Sequence, residues 1–109
     1  MKDLVFLGDS RDRLRDFPEQ ARRTAGFQLR RVQQGLEPDD WKPMATVGPG
    51  VRELRVREGG GAFRVIYVAV VADAVHVLHA FQKKSQKTPR PDLDLAARRL
   101  RTLTNQGRP

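Results

Sequence analysis

Leu4-Val5-Phe6-Leu7 is a short unbroken apolar run, and Gly8-Asp9-Ser10 closes it. This predicts a first strand, with Asp9 or Ser10 placed to cap a helix. From Arg11 to Phe17 the period changes: Leu14 and Phe17 stand at i, i+3. A short helix is predicted there. Pro18 stops it, because proline lacks an N–H and its ring clashes with the preceding turn. Proline is tolerated in a first turn, so a second helix is expected from about Pro18 to Gln34. Ala21, Ala25, Leu29 and Val32 form its apolar stripe, and Gly35 can end it. Arg22, Arg23, Arg30 and Arg31 lie mostly outside that stripe and read as solvated helix surface. Leu36 to Pro49 holds Pro38, Pro43 and Pro49 and is expected to be a loop, with Trp41 packed beneath it.

The period then falls to two. In Val51–Val56, Leu54 and Val56 point one way while Glu53, Arg55 and Arg57 point the other. Glu58-Gly59-Gly60-Gly61 is a reversal that glycine permits at positive φ. Phe63 to Val71 is almost continuously apolar, as in a central strand. Asp73 marks a tight turn, and Val75 to Phe81 is the partner strand. Asp92 can cap a last helix with a stripe of Leu93, Ala96, Ala97, Leu100 and Leu103, and Asn105 to Pro109 is expected to fray. The order β-α-α-β-β-β-α predicts an α+β fold: an antiparallel sheet of about four strands, two N-terminal helices packed on it and a C-terminal helix, all on one face. The 109 residues show no repeat or linker and are expected to form one domain over residues 1–109.

Composition narrows the chemistry. The chain has no cysteine, which excludes disulfides and thiolate metal sites. Two histidines, His76 and His79, are too few for an ordinary zinc site unless carboxylates join them. No metal or cofactor is expected. No apolar run reaches the roughly 20 residues of a membrane span, and Leu4–Leu7 is too short for a signal peptide. A cytoplasmic protein with no membrane partner is expected. The formal net charge of +8 makes a field that draws in polyanions. Nucleic acid is the first partner to consider, an acidic protein the second.

The charges concentrate in Leu78–Pro89, an apolar strand that runs into Lys83, Lys84 and Lys87 ahead of an Arg-rich helix. Arg55 and Arg64 sit on neighbouring strands across the Gly59–Gly61 reversal, so hairpin geometry brings three segments together. Arg64 opens an apolar strand, where a charge needs a strand end, a partner or a polar cleft. Glu53 or Glu58 is the simplest partner. Arg52, Arg57, Lys83 and Arg90 are further candidates for RNA contact. RNA cleavage by its own 2′-OH needs a base, stabilisation of a phosphorane-like transition state and a proton for the 5′-oxygen. Arg clamps phosphate oxygens with a planar, permanently charged fork. Lys adds charge, or moves a proton if neighbouring cations depress its pKa. Such a cluster without chemistry is a plain nucleic-acid-binding face. The histidines are three apart on a strand and so are expected on opposite faces. His79, beside Phe81, reads as a hydrogen-bonded core residue, and His76 as a candidate base. Ser85 and Thr88 read as turn or capping residues. Gly59–Gly61 lacks the Lys-Ser/Thr of a phosphate loop.

Glu53-Leu54-Arg55, Phe63-Arg64-Val65-Ile66-Tyr67, Leu78-His79-Ala80-Phe81, Lys83-Lys84 and Gln86-Lys87-Thr88-Pro89 occur in order ahead of an Ala/Arg helix. Together they resemble the HigB-type, phage-derived branch of the RelE/ParE toxin superfamily, over nearly the whole chain. The resemblance implies a RelE-like fold and the toxin of a type II toxin–antitoxin pair. Enzymatic relatives are ribosome-dependent mRNA endonucleases. By position Arg64 would meet the scissile phosphate and Arg55 a phosphate or rRNA backbone. Lys84 and Lys87 would stabilise charge or donate a proton. The implied partners are a helix-turn-helix, HigA-like antitoxin, the ribosome with its mRNA, and operator DNA through the antitoxin complex. The chain departs from some relatives in two ways. Its only tyrosine, Tyr67, lies inside a strand, and Glu53 stands where another cation would be. The resemblance also admits ParE-like toxins acting on DNA gyrase, and members that bind without cutting.

Overall fold

The computed structural model describes residues 1–105, and residues 106–109 of the tail expected to fray lie outside them. Three helices and five strands follow along them: β1 (Asp3–Phe6), α1 (Ser10–Arg15), α2 (Glu19–Gln33), β2 (Trp41–Pro43), β3 (Val51–Glu58), β4 (Gly61–Val71), β5 (Ala74–Lys83) and α3 (Arg90–Asn105). The strands make one sheet in the order β1-β5-β4-β3-β2. Two tight reversals build its β3-β4-β5 meander. At the first, Gly59 and Gly60 take φ of +57° and +80°, the left-handed pair that matches strand twist in a two-residue hairpin. The second uses Ala72 and Asp73, both at φ +52°.

The α+β fold is as expected, with three differences. First, β1 joins the edge parallel to β5, so the sheet is mixed. A four-residue apolar run carries no direction. The reversals orient β3, β4 and β5 relative to one another only, and β1, which reaches the edge from before α1 and α2, lies in the same sense as β5. Second, residues 41–43, expected in a loop, form a short edge strand opposite Leu54–Arg52. Three residues are too few to show a period. Trp41 is half-buried there, with the Arg52 guanidinium 3.9 Å from its ring centroid, instead of packing under a loop. Third, the helices cover both faces. α1, α2 and the link between them bury Leu14, Phe17, Ala21, Ala25, Leu29 and Val32 against Leu54, Val56, Val65, Tyr67, Val75 and Val77. On the other face, Leu93, Ala96, Ala97, Leu100 and Leu103 of α3 pack with Ile66, Val68, Leu78 and Phe81. The unbroken apolar run of β4 requires this, because a strand apolar on both sides needs cover on both.

A bulge changes the histidine geometry. Ile66 pairs with His79 but Tyr67 pairs with Val77, so Leu78 is an extra residue in β5. An inserted residue resets the alternation of a strand. His76, opposite Val68, and His79, opposite Ile66, therefore share the α3 face, not the opposite faces that simple alternation predicts. His79 is buried, as expected, and its Nε2 lies 2.6 Å from Asp92 Oδ1. Asp92 thus ties the first turn of α3 to the sheet. Among the described residues, no helix is long and apolar enough to cross a membrane.

Leu54 is fully buried between β3 and α2, so Leu54→Ala should cost about 2–5 kcal/mol in urea unfolding. Val70, which is 74% exposed, should change stability by only about 0.5 kcal/mol or less when replaced by alanine. Burial holds both histidines below their ordinary pKa of 6.5, against the pull of Asp92 on His79. At lower pH the unfolded chain therefore takes up protons that the folded one refuses. Stability should fall as pH drops below 6.5, and NMR titration should place both imidazole midpoints under that value.

Candidate functional site

Cross-strand pairing decides which charges meet. Lys42 pairs with Glu53, Arg55 with Arg64 and then Phe81, and Arg57 with Ala62 and then Lys83. Paired residues share a face, and this is the face that carries α3. The apolar cluster under α3 ends at Phe81. Beyond it the sheet surface is cationic.

At its centre is Glu53, 1% exposed. Its Oε1 lies 3.4 Å from Arg64 Nε and 3.6 Å from Arg55 Nε. Its Oε2 accepts a hydrogen bond from Thr88 Oγ1 at 2.7 Å. Arg64 is buried and its Nη1 donates to the Phe63 carbonyl at 3.0 Å. Glu58 accepts instead from Thr24 of α2 at 2.8 Å, so Glu53 is the partner of Arg64. The contacts to Arg55 and Arg64 are ion pairs without a hydrogen bond, and both Nε groups are buried donors lacking an acceptor. Buried donors are rarely left unpaired. A small shift of Glu53 or an arriving anion would satisfy them.

Burial lowers the Arg64 pKa and Glu53 opposes that, with Arg55 and Arg57 lowering it further. A guanidinium starts so high that it stays charged. Lys83 is half-buried. Burial first, then the charge of Arg64, brings its pKa down, with Arg55 and Lys42 adding to the effect. A lowered pKa makes the Lys83 proton easier to remove than that of an ordinary lysine.

The other predicted site residues divide. Arg57 is exposed beside Lys83 on the same face. Lys84 and Lys87 are exposed on the loop after β5, where Ser85 Oγ donates to the Lys87 carbonyl at 2.7 Å in a local turn. Thr88, expected as a turn or capping residue, fastens the loop to Glu53. Arg90 is exposed at the start of α3, and its Nε lies 3.5 Å from Asp94 Oδ1. Arg52 is not part of the cluster. It lies on the opposite face, stacked on Trp41, with its Nη1 3.0 Å from Glu37 Oε2. Tyr67 is also on that opposite side, fully buried under α1 and α2. Sequence reasoning missed Lys42 and the central place of Glu53. The alternation of β3 did put Glu53 on the side of Arg55. Nothing in the sequence announced β2, and so Lys42 went unseen. Among the described residues, no group of three or more His, Asp or Glu side chains converges to hold a metal ion.

Residues 12–101 match the family model described as phage derived protein Gp49-like (DUF891), and the chain belongs to that family. The family is associated with RelE/toxin-like proteins. Comparison with curated proteins finds no match.

Glu53→Gln leaves Arg64 buried without its counter-charge. The loss should be about 3–5 kcal/mol, as for other buried pairs that lose one partner. Thr88→Val removes a hydrogen bond to a charged group and should cost about 1.5–3 kcal/mol. Urea denaturation reads both, and unchanged midpoints would contradict a central role for Glu53.

Proposed function

We propose that this Gp49-like chain is the toxin of a type II toxin–antitoxin pair, of the HigB type, and that it cuts mRNA in the decoding site of the ribosome in the cytoplasm. The observation that carries this reading is the cationic surface built around Glu53. Arg55, Arg57 and Lys83 line an open end of the sheet, with Arg64 fixed beneath them and Lys84 and Lys87 on the adjoining loop. Cations surround the seat, which suits it to an anionic group such as a phosphate rather than to a neutral sugar.

In this reading Arg55 meets the non-bridging oxygens of the scissile phosphate as its charge grows. Arg64 supplies a fixed positive field from below. Lys83, in its neutral amine form, accepts the proton of the 2′-OH as that oxygen attacks phosphorus. Lys84 or Lys87 protonates the departing 5′-oxygen. Glu53 holds the guanidinium groups in place and does not touch substrate. Arg57 and Arg90 guide the flanking backbone. The reaction proceeds through the 2′-OH of the RNA itself and uses no metal. The ribosome aligns the strand for in-line attack. A HigA-like, helix-turn-helix antitoxin holds the toxin inactive, and their complex contacts operator DNA through the antitoxin.

One observation favours a second reading, a member that binds RNA or its antitoxin without cutting. Arg64, the residue assigned to the phosphate by resemblance, is 4% exposed behind Glu53.

Mapping of mRNA 5′ ends in a translating extract separates these readings. New ends at fixed positions within codons, present only with assembled ribosomes, are expected. Cuts on naked RNA would make the protein a ribosome-independent nuclease. Growth arrest without new ends would point to gyrase or another target, and folded protein with neither effect to the binding-only member.

A further inference from the structure

The cationic surface holds two kinds of positive group with different chemistry. Arginine keeps its proton and offers no free electron pair, whereas a lysine that sheds its proton is a nucleophile. Five lysines occur in the chain: Lys2, Lys42, Lys83, Lys84 and Lys87. Lys42, Lys84 and Lys87 are exposed. Lys2 is tied, its Nζ donating to the Ala69 carbonyl at 2.7 Å. Lys83 is half-buried at the end of β5, among arginines. Glu53, the carboxylate of this surface, is already engaged by Arg64, Arg55 and Thr88.

The strand register gives Lys83 a setting that the other lysines lack. Lys83 lies opposite Ala62, and Ala62 opposite Arg57. Strands are ~4.8 Å apart, so Lys83 and Arg57 stand about 10 Å from each other at the backbone. In that row only the methyl group of Ala62 lies between them. The next row places Phe81, Arg64 and Arg55 across the same three strands. Arg55 and Arg57 thus border a seat for an anion, and Lys83 closes it from the β5 side. Arginine forks suit the oxygens of a phosphate and do not compete for an acyl group. Burial, and then Arg64, bring the Lys83 pKa below its ordinary 10.5, which enlarges the neutral, nucleophilic fraction.

We propose that Lys83 is a self-acylation site, where Arg55 and Arg57 seat the phosphate of a small acyl phosphate and Lys83 Nζ takes its acyl group. The free electron pair of the neutral amine attacks the acyl carbon and an N–C bond forms. The C–O bond to the phosphate breaks, and the phosphate leaves with that electron pair. The surplus proton on nitrogen passes to the departing phosphate. Nothing is oxidised or reduced. The neighbouring cations stabilise the negative charge that grows on the leaving group. The product is a neutral amide, so the surface loses one positive charge. The acylation itself stands apart from the nuclease reading, while its consequence rests on it. An acylated Lys83 has no amine to accept the 2′-OH proton, so the modification switches cleavage off.

The test incubates the folded protein with acetyl phosphate and follows each lysine by peptide mass spectrometry. Lys83 should be acetylated at least ~10-fold faster than Lys84 or Lys87. Inorganic phosphate should abolish that lead by filling the seat, and Arg55→Ala should reduce it. Arg57 is exposed, so Arg57→Ala gives the same reading if Arg55→Ala fails to fold by circular dichroism. Equal rates at the three lysines would overturn the proposal. So would a lead that survives both phosphate and the arginine substitutions, or no acetylation at all. Cleavage on programmed ribosomes then reads the consequence, and protein acetylated at Lys83 should be at least ~10-fold slower. Full activity after acetylation would overturn the switch. Acetylation led by Lys83 in a protein whose unmodified form cuts no mRNA would remove the nuclease reading and leave the acylation site standing.

Discussion

A buried carboxylate organises the charged end of this sheet. Bringing Arg55, Arg64 and Lys83 together on adjoining strands is unfavourable by like-charge repulsion, and burying Arg64 adds a desolvation cost. Glu53 offsets both from within, at 3.4 Å from one guanidinium and 3.6 Å from the other. Its second oxygen takes the Thr88 hydroxyl. The same side chain therefore sets the strand cations and the lysine-bearing loop relative to each other. Such preorganisation lets a site stabilise a growing negative charge without first moving its own groups.

The two faces of the sheet divide the work. α1 and α2 cover one face over most of its width, which buries Tyr67 and leaves Arg52 to stack on Trp41. On the other face α3 covers only the apolar part, up to Phe81. The uncovered remainder is where the cations stand. The His79–Asp92 and Thr88–Glu53 contacts fasten the start of α3 and the loop before it. They hold that boundary in place.

Much of the fold was legible because its signals are periodic. The stripe of α2, the alternation in β3 and the apolar run of β4 each name their element and their buried side. The sequence also brought Arg55, Arg64 and Lys83 together, through hairpin geometry alone. What it hid was set by tertiary structure. A bulge at Leu78 moved the histidines onto one face, and three residues of β2 were too short to show a pattern. The choice of Glu53 over Glu58 for Arg64 depended on Thr24 of α2 engaging Glu58. Arg52 fell on the wrong side of its strand for the cluster, as the alternation of β3 itself implies.

Whether the arrangement of these cations matters, or only their sum, is the central question. Single-turnover mRNA cleavage on programmed ribosomes answers it by comparing Arg55→Ala with Arg30→Ala. Each removes one positive charge, the first from beside Glu53 and the second from the exposed surface of α2. The account predicts a loss of ~10²-fold or more for Arg55→Ala and near wild-type cleavage for Arg30→Ala. Equal, small losses in both would contradict it, because the chain would then act through its overall charge.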